Sequence, residues 1–127
     1  MNRIFHIIAF AALAALIGYL QVISIERDLY WTIWWMDILL HFLAGFFIVY
    51  AALLLNFSIY GWRGIEASDL KKMFFIILFI GVGWEIFEYV NKMIDPENYW
   101  QDTFTDLVMD FLGAFLAYIF MNRTTRT

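Results

Sequence analysis

Cysteine is absent from this chain of 127 residues, which excludes disulfides and thiolate metal sites. Proline occurs once, so little in the sequence interrupts long helices. No basic cluster, zinc-finger spacing or glycine-rich phosphate loop is present, and nucleic acid is therefore not an expected partner. Charge is scarce as well: 16% of residues are charged, against 64% hydrophobic and 21% aromatic. A soluble domain of this length keeps too much surface per unit volume to hide so much apolar material. Lipid is the solvent that suits the composition, and the length leaves room for one domain, residues 1–127.

Four apolar runs organise that domain. They cover about 4–25, 30–57, 73–93 and 104–121, each long enough to cross a bilayer. Glu26-Arg27-Asp28 ends the first, a polar connector with Gly61, Arg63, Gly64 and Glu66 follows the second, and Asp95-Pro96-Glu97-Asn98 closes the third. The first run is too long for a signal-peptide core and lacks a small-x-small cleavage site before Glu26. Its Ala11, Ala15 and Gly18 share one face, which predicts close packing against another helix. The expected fold class is all-α, an integral membrane four-helix bundle.

Four spans put the termini and the middle connector on one side. That side carries Arg3, Arg63, Lys71, Lys72, Arg123 and Arg126, whereas the other has only Arg27 and Lys92. The positive-inside rule then predicts a multi-pass protein of the cell membrane with both termini in the cytoplasm.

Acids and one histidine interrupt the spans at related depths. Counted from the outer ends of the runs at 1.5 Å per residue, Asp37, Glu88 and Asp110 fall roughly 10–12 Å deep, His41 and Glu85 roughly 15–16 Å, and Asp106 about 6 Å. Within each helix the spacing is three or four: Asp37/His41, Glu85/Glu88 and Asp102/Asp106/Asp110. Each set therefore lies on one face. Gly45, Gly81, Gly113 and Ala117 extend those faces inward and predict close helix approach. One intramembrane acid costs roughly 2.5–3.5 kcal/mol. Two like charges at 4 Å add about 4 kcal/mol at an effective dielectric of 20. Five carboxylates with only Lys92 nearby leave two readings: a bound cation, which is favoured, or a protonated polar core.

Bland readings exist for each set taken alone. Asp37 and His41 suit an ordinary interhelical pair, Glu88 suits snorkelling, and Asp102 suits a helix start. Glu85 and Asp110 lie too deep for such explanations. Tyr30, Trp31, Trp34, Trp35, Tyr89, Tyr99 and Trp100 crowd the same end and read as an interfacial aromatic belt, with a sugar- or headgroup-stacking wall as the alternative. His6, at the opposite end, reads as an interfacial residue.

These motifs resemble the YjdF-like family of small bacterial inner-membrane proteins. Its D-x-x-x-H-F-x-x-G-F pattern is similar to Asp37, His41, Phe42, Gly45 and Phe46, and its E-x-x-E to Glu85 and Glu88. Its W-D-T-x-x-D stretch ending in G-A is similar to Trp100, Asp102, Thr103, Asp106 and Gly113-Ala114, with Gln101 inserted. A fainter similarity reaches VanZ-like proteins, in which asparagine stands at the place of Asp110. The resemblance covers the second to fourth spans. It implies a polar intramembrane site and names no substrate.

The leading functional expectation is a divalent-cation site, mono- or binuclear, formed by Asp37, His41, Glu85, Glu88, Asp106 and Asp110, with Asp102 at its rim. One imidazole among many oxygens suits Mg²⁺, Mn²⁺, Ca²⁺ or Zn²⁺. Chemistry at such a site would be metal-assisted hydrolysis or transfer on a lipid-linked substrate, with His41 as a candidate catalytic proton carrier. Ser24, Ser58 and Ser68 all lie away from the cluster, so no serine triad is expected. Two rivals stand: a cation or proton transporter, which would need a homodimer for a path, and a structural or assembly subunit whose polar core sets helix register.

Overall fold

The computed structural model describes residues 3–61, 66–93 and 96–125. Arg63, Gly64, Asp95 and Arg126, which entered the reading of connectors and charge, lie outside the described residues. The chain forms α1 (Arg3–Glu26), α2 (Leu29–Thr32), α3 (Met36–Tyr60), α4 (Ala67–Val90) and α5 (Tyr99–Thr125). Four of these are long and apolar enough to cross a membrane: Arg3–Glu26, Met36–Tyr60, Ser68–Val90 and Tyr99–Thr124. The fold is an all-α membrane bundle.

Its burial pattern is that of a protein dissolved in lipid. Ile7, Ile8, Phe79 and Phe115 point outward. Among the described residues, nine buried hydrophobic side chains are matched by eight buried polar or charged ones, so the interior is about as polar as it is apolar. In water that arrangement would expose the apolar surface and bury the charge; in a bilayer it does the reverse of harm.

Helix limits differ from the apolar runs for local reasons. The run from Tyr30 is not one helix. Ile33 is extended (φ −123°, ψ 96°), and the hydroxyl of Thr32 donates to the Asp28 carbonyl at 3.1 Å. A β-branched pair with side-chain-to-backbone bonding is a reasonable place for a helix to stop. The span proper starts at Met36. α4 starts six residues before its apolar run because Glu66 and Asp69 form a capping box, the Glu66 N–H donating to Asp69 at 3.2 Å. Apolar runs mark contact with lipid, whereas caps and turns mark helix ends.

The tightest packing is between α3 and α5. A Cβ at Gly45 would strike the Asp110 carbonyl, and one at Gly113 would strike the Phe42 carbonyl. Backbones approach reciprocally at two glycines, the close contact that small residues permit in membranes. Beneath this clasp Val49, Tyr50, Leu53, Ile77, Ala117 and Met121 form a closed apolar core.

α1 packs on α3 through a face other than the small-residue one. Ala11, Ala15 and Gly18 are exposed, and nothing lies within 4 Å of a Cβ at Gly18. Instead Phe10 stacks on Phe47 with centroids 4.7 Å apart, since large rings fill the gap that small residues would leave open. His6, near the start of α1, turns into the bundle. It is 1% exposed, with Nδ1 2.9 Å from the Tyr50 hydroxyl, which in turn donates to the His6 carbonyl at 3.2 Å. A buried imidazole requires such a partner, and Tyr50 supplies it.

Candidate metal centre

All the sequence-predicted site residues lie at one end of the bundle, the end that carries α2 and the link between α4 and α5. With α3 starting at Met36, Asp37 sits in the first turn and His41 about 7.5 Å along the axis. Glu85 is likewise about 7.5 Å from the end of α4, and Asp106 about 10 Å from the start of α5. The common level survives, but His41 and Glu85 are one to two turns shallower than the apolar runs suggested.

His41 is the hub. Its Nδ1 is 3.3 Å from Asp110 Oδ1, across the α3–α5 clasp. Its Nε2 lies 3.8 Å from Asp37 Oδ1 and 3.9 Å from Glu85 Oε1, too far for hydrogen bonds. Two donors bound to one ion at about 2.1 Å each can stand up to about 4.2 Å apart, so both separations accommodate a shared cation. At this end of the bundle three groups of side chains place one potential ligand atom each within 4.8 Å of the others, two of them including His41: His41/Glu85/Asp106, Asp37/His41/Glu88 and Asp37/Asp102/Asp106. Asp37, His41 and Asp106 each belong to two groups, which is the pattern expected of ligands between two neighbouring positions.

Burial makes the cluster unusual. Glu85 and Asp106 are each 1% exposed, and Glu88 is 4%. Glu85 Oε1, Glu88 Oε2 and both oxygens of Asp106 are buried without a hydrogen-bond partner, four of the five such atoms among the described residues. Leaving polar atoms buried and unpaired is costly, more so for charged ones. A cation at His41/Glu85/Asp106 would partner oxygens of two of these acids, and one at Asp37/His41/Glu88 an oxygen of the third.

The predicted residues divide. Asp37, His41, Glu85, Glu88 and Asp106 fall in groups close enough that they could hold a metal ion, and Asp102, expected only at the rim, joins them through Asp37 and Asp106. Asp110 belongs to none of the three groups and instead faces Nδ1 of His41. Gly81 is what admits its carboxylate: a Cβ there would stand 2.8 Å from Asp110 Oδ2. Sequence reasoning missed Thr103, whose hydroxyl donates to Glu85 Oε2 at 2.7 Å. Its position three residues before Asp106, on nearly the same helical face, was the available signal. It also missed Gln21, which accepts from the Tyr30 hydroxyl at 2.7 Å and ties α1 to α2 beside the cluster.

Two cavities meet at this centre. An outer, polar one of about 390 Å³ is lined by Tyr30, Trp31, Trp34, Asp37, Glu88, Lys92 and Asp102, among others. An inner, apolar one of about 160 Å³ runs from Tyr30 and Asp37 past His41 and Asp110 toward mid-bundle. The aromatic side chains of the belt thus also wall the outer cavity.

Residues 2–127 match the family model described as "Predicted membrane protein (DUF2238)". No curated protein and no solved structure matches the chain.

Proposed function

The chain belongs to the DUF2238 family of predicted membrane proteins, and from that premise we propose that its carboxylate–imidazole cluster binds a divalent cation and serves hydrolysis or group transfer on a lipid-linked substrate. The observation that carries the reading is the set of four unpartnered, buried carboxylate oxygens on Glu85, Glu88 and Asp106, residues that each fall in a potential donor group with His41. His41, Glu85 and Asp106 are assigned as the deeper ligands, with Asp37, Glu88 and Asp102 toward the outer cavity. Asp110 is assigned as the carboxylate that fixes the His41 ring through Nδ1, leaving Nε2 for a metal. With both nitrogens of His41 so engaged, it acts as ligand rather than as proton carrier. Mg²⁺, Mn²⁺, Ca²⁺ and Zn²⁺ are the ions this donor set suits. Such an ion would polarise a phosphoryl or acyl oxygen and lower the barrier to attack by water.

The YjdF-like resemblance supports the same reading, because Asp37, His41, Glu85, Glu88, Asp102 and Asp106, which carry it, are the residues that converge. The charge asymmetry favours both termini in the cytoplasm and hence a centre in the outer leaflet. Transport is disfavoured by the closed apolar core beneath the clasp. Elemental analysis of detergent-purified protein tests the proposal. About one or two divalent ions per chain are expected, fewer in Asp106→Asn. Stable protein that stays metal-free after dialysis against each candidate ion overturns it in favour of a protonated structural core. Bound metal without turnover of any lipid phosphate or ester would overturn the enzymatic part alone.

A further inference from the structure

α1 packs on α3, and α4 packs on α3 and α5, but among the described residues α1 and α4 do not pack on each other. The gap between them is the inner cavity, a furrow floored by Leu40, Ala44 and Ile48 of α3 and walled by Ile17 on one side and Ile77 and Ile80 on the other. Leu40, Ala44 and Ile48 follow the four-residue spacing of a single helix face, so the floor is continuous along the axis. At its upper end the furrow reaches Asp37, His41 and Asp110, and Tyr30 and Asp37 are shared with the outer polar cavity.

We infer that this furrow holds one acyl chain of a glycerophospholipid, with the phosphate of the same molecule at the outer rim of the cluster. Three observations converge on that occupant. The lining is apolar along its length and lies within the spans, where acyl chains are the surrounding solvent. From Asp37 to Ile48 the axial rise is about 16 Å, close to the roughly 15 Å that half of a 30 Å hydrocarbon core represents. An acyl chain of one leaflet fits that length, whereas a long isoprenoid would run past the lower end. The polar end suits a phosphate once the proposed cation offsets Asp37, Glu88 and Asp102, and Lys92, which lines the same cavity, then adds a basic partner.

Lys92 is held there by the backbone. It adopts φ 56° at the end of α4, with Met93 N–H donating to the Glu88 carbonyl at 3.0 Å and Lys92 N–H to that of Tyr89 at 3.2 Å. That is a Schellman ending, where glycine is the usual residue. A lysine at φ 56° is strained, and the turn that holds this backbone sets Lys92 in the lining of the outer cavity.

The inference names the substrate class of the proposed centre and rests on that proposal only for the headgroup; the chain furrow stands on geometry alone. A phosphatidylglycerol carrying a diazirine midway along one acyl chain, reconstituted with the full chain in nanodiscs and photolysed, tests it by peptide mapping. Labels are expected at Ala44 and Ile48 several-fold above those at Phe79, which is 83% exposed on the lipid-facing side of α4. Ala44→Trp should remove the furrow labels and leave those at Phe79 unchanged. Ile80→Trp, at a half-exposed wall position that tolerates bulk, should lower them if Ala44→Trp does not fold. Furrow labelling that survives a chelator supports the inference even where the metal proposal fails. Labelling that simply follows exposure, or that persists in both Trp variants, overturns it. Loss of the label to a competing long-chain isoprenoid phosphate, but not to unlabelled phosphatidylglycerol, also overturns it.

Discussion

Gly81→Ala adds one methyl group at the point where the centre has no slack. The new Cβ would stand 2.8 Å from Asp110 Oδ2 and 2.7 Å from Leu107 Cδ2, whereas ordinary contact begins near 3.4 Å, a shortfall of 0.6 Å at the carboxylate. Leu107 can swing its methyl aside. Asp110 cannot retreat as a whole, because its carbonyl is already packed against Gly45. Its carboxylate must rotate, and the His41 Nδ1–Asp110 Oδ1 separation, at 3.3 Å, has only about 0.2 Å in hand before it ceases to be a hydrogen bond. Overpacking should cost about 1–3 kcal/mol of stability. Disturbing the carboxylate that orients a metal-bound imidazole should weaken metal affinity about 10–100-fold. Gly83→Ala is the control: two residues away on the same helix, its Cβ meets nothing within 4 Å. It should gain about 0.5–1 kcal/mol from helix propensity and bind metal normally. Thermal melts and metal titration in detergent read both quantities. If Gly81→Ala matches Gly83→Ala in both, the placement of Asp110 against Gly81 and His41 is wrong.

A reporter fused at the C-terminus is expected to lie in the cytoplasm and a tag beside Asn98 to be reachable from outside; a periplasmic reading at the C-terminus would invert the leaflet assigned to the centre. Metal binding by carboxylates and imidazole requires them deprotonated, so it releases protons. Metal-dependent stabilisation should therefore be present at neutral pH and fade toward pH 5, with chelator removing the slope; a melting temperature that falls from pH 5 to 8 and ignores chelator points to a protonated core. Thr103→Val removes the hydroxyl that donates to Glu85 Oε2 and should cost about 1 kcal/mol of stability, with weaker metal binding, whereas Thr105→Val, whose hydroxyl only bonds its own helix, should change neither. Tyr50→Phe leaves His6 Nδ1 buried without a partner and should lower stability by about 1–3 kcal/mol while sparing metal content, because it lies at the far end of the bundle.

The fold was legible because lipid makes apolar runs so long that length alone identifies spans. The meeting of Asp37, His41, Glu85, Glu88, Asp102 and Asp106 was legible too, since three- and four-residue spacing fixes a face and alternating helix direction fixes a level. What escaped was whatever depends on contacts between residues far apart in the chain. His6 and Tyr50 are 44 residues apart, and nothing local distinguishes a buried histidine from one at the membrane surface. The break at Ile33 is invisible to hydropathy, because residues on both sides are apolar or aromatic. Asp110 has the same chemistry and spacing as Asp106, so only the clasp at Gly45 and Gly113 tells the residue that faces Nδ1 from the residue that shares the donor groups. Ala11, Ala15 and Gly18 offered a packing face that the large side chains on the other side of α1 made unnecessary.

The glycine clasp between α3 and α5 also sets a timetable for synthesis. Gly45 and Gly113 leave the ribosome 68 residues apart, an interval of about 3–14 s at 5–20 residues per second. Throughout that interval Asp37 and His41 sit in the bilayer without Asp106 and Asp110, and α4 arrives bringing two further acids and no basic side chain to meet them within the membrane. α5 is the helix that brings Asp110 to the His41 ring and Asp106 to the donor group. A chain halted before Tyr99 should therefore be recognised as unfinished and cleared by membrane proteolysis, which pulse-chase would read as a short half-life beside the full-length protein. Accumulation of the truncated form would show that the first three spans can hold their charges unaided. For this protein, closure of the centre waits on the synthesis of α5.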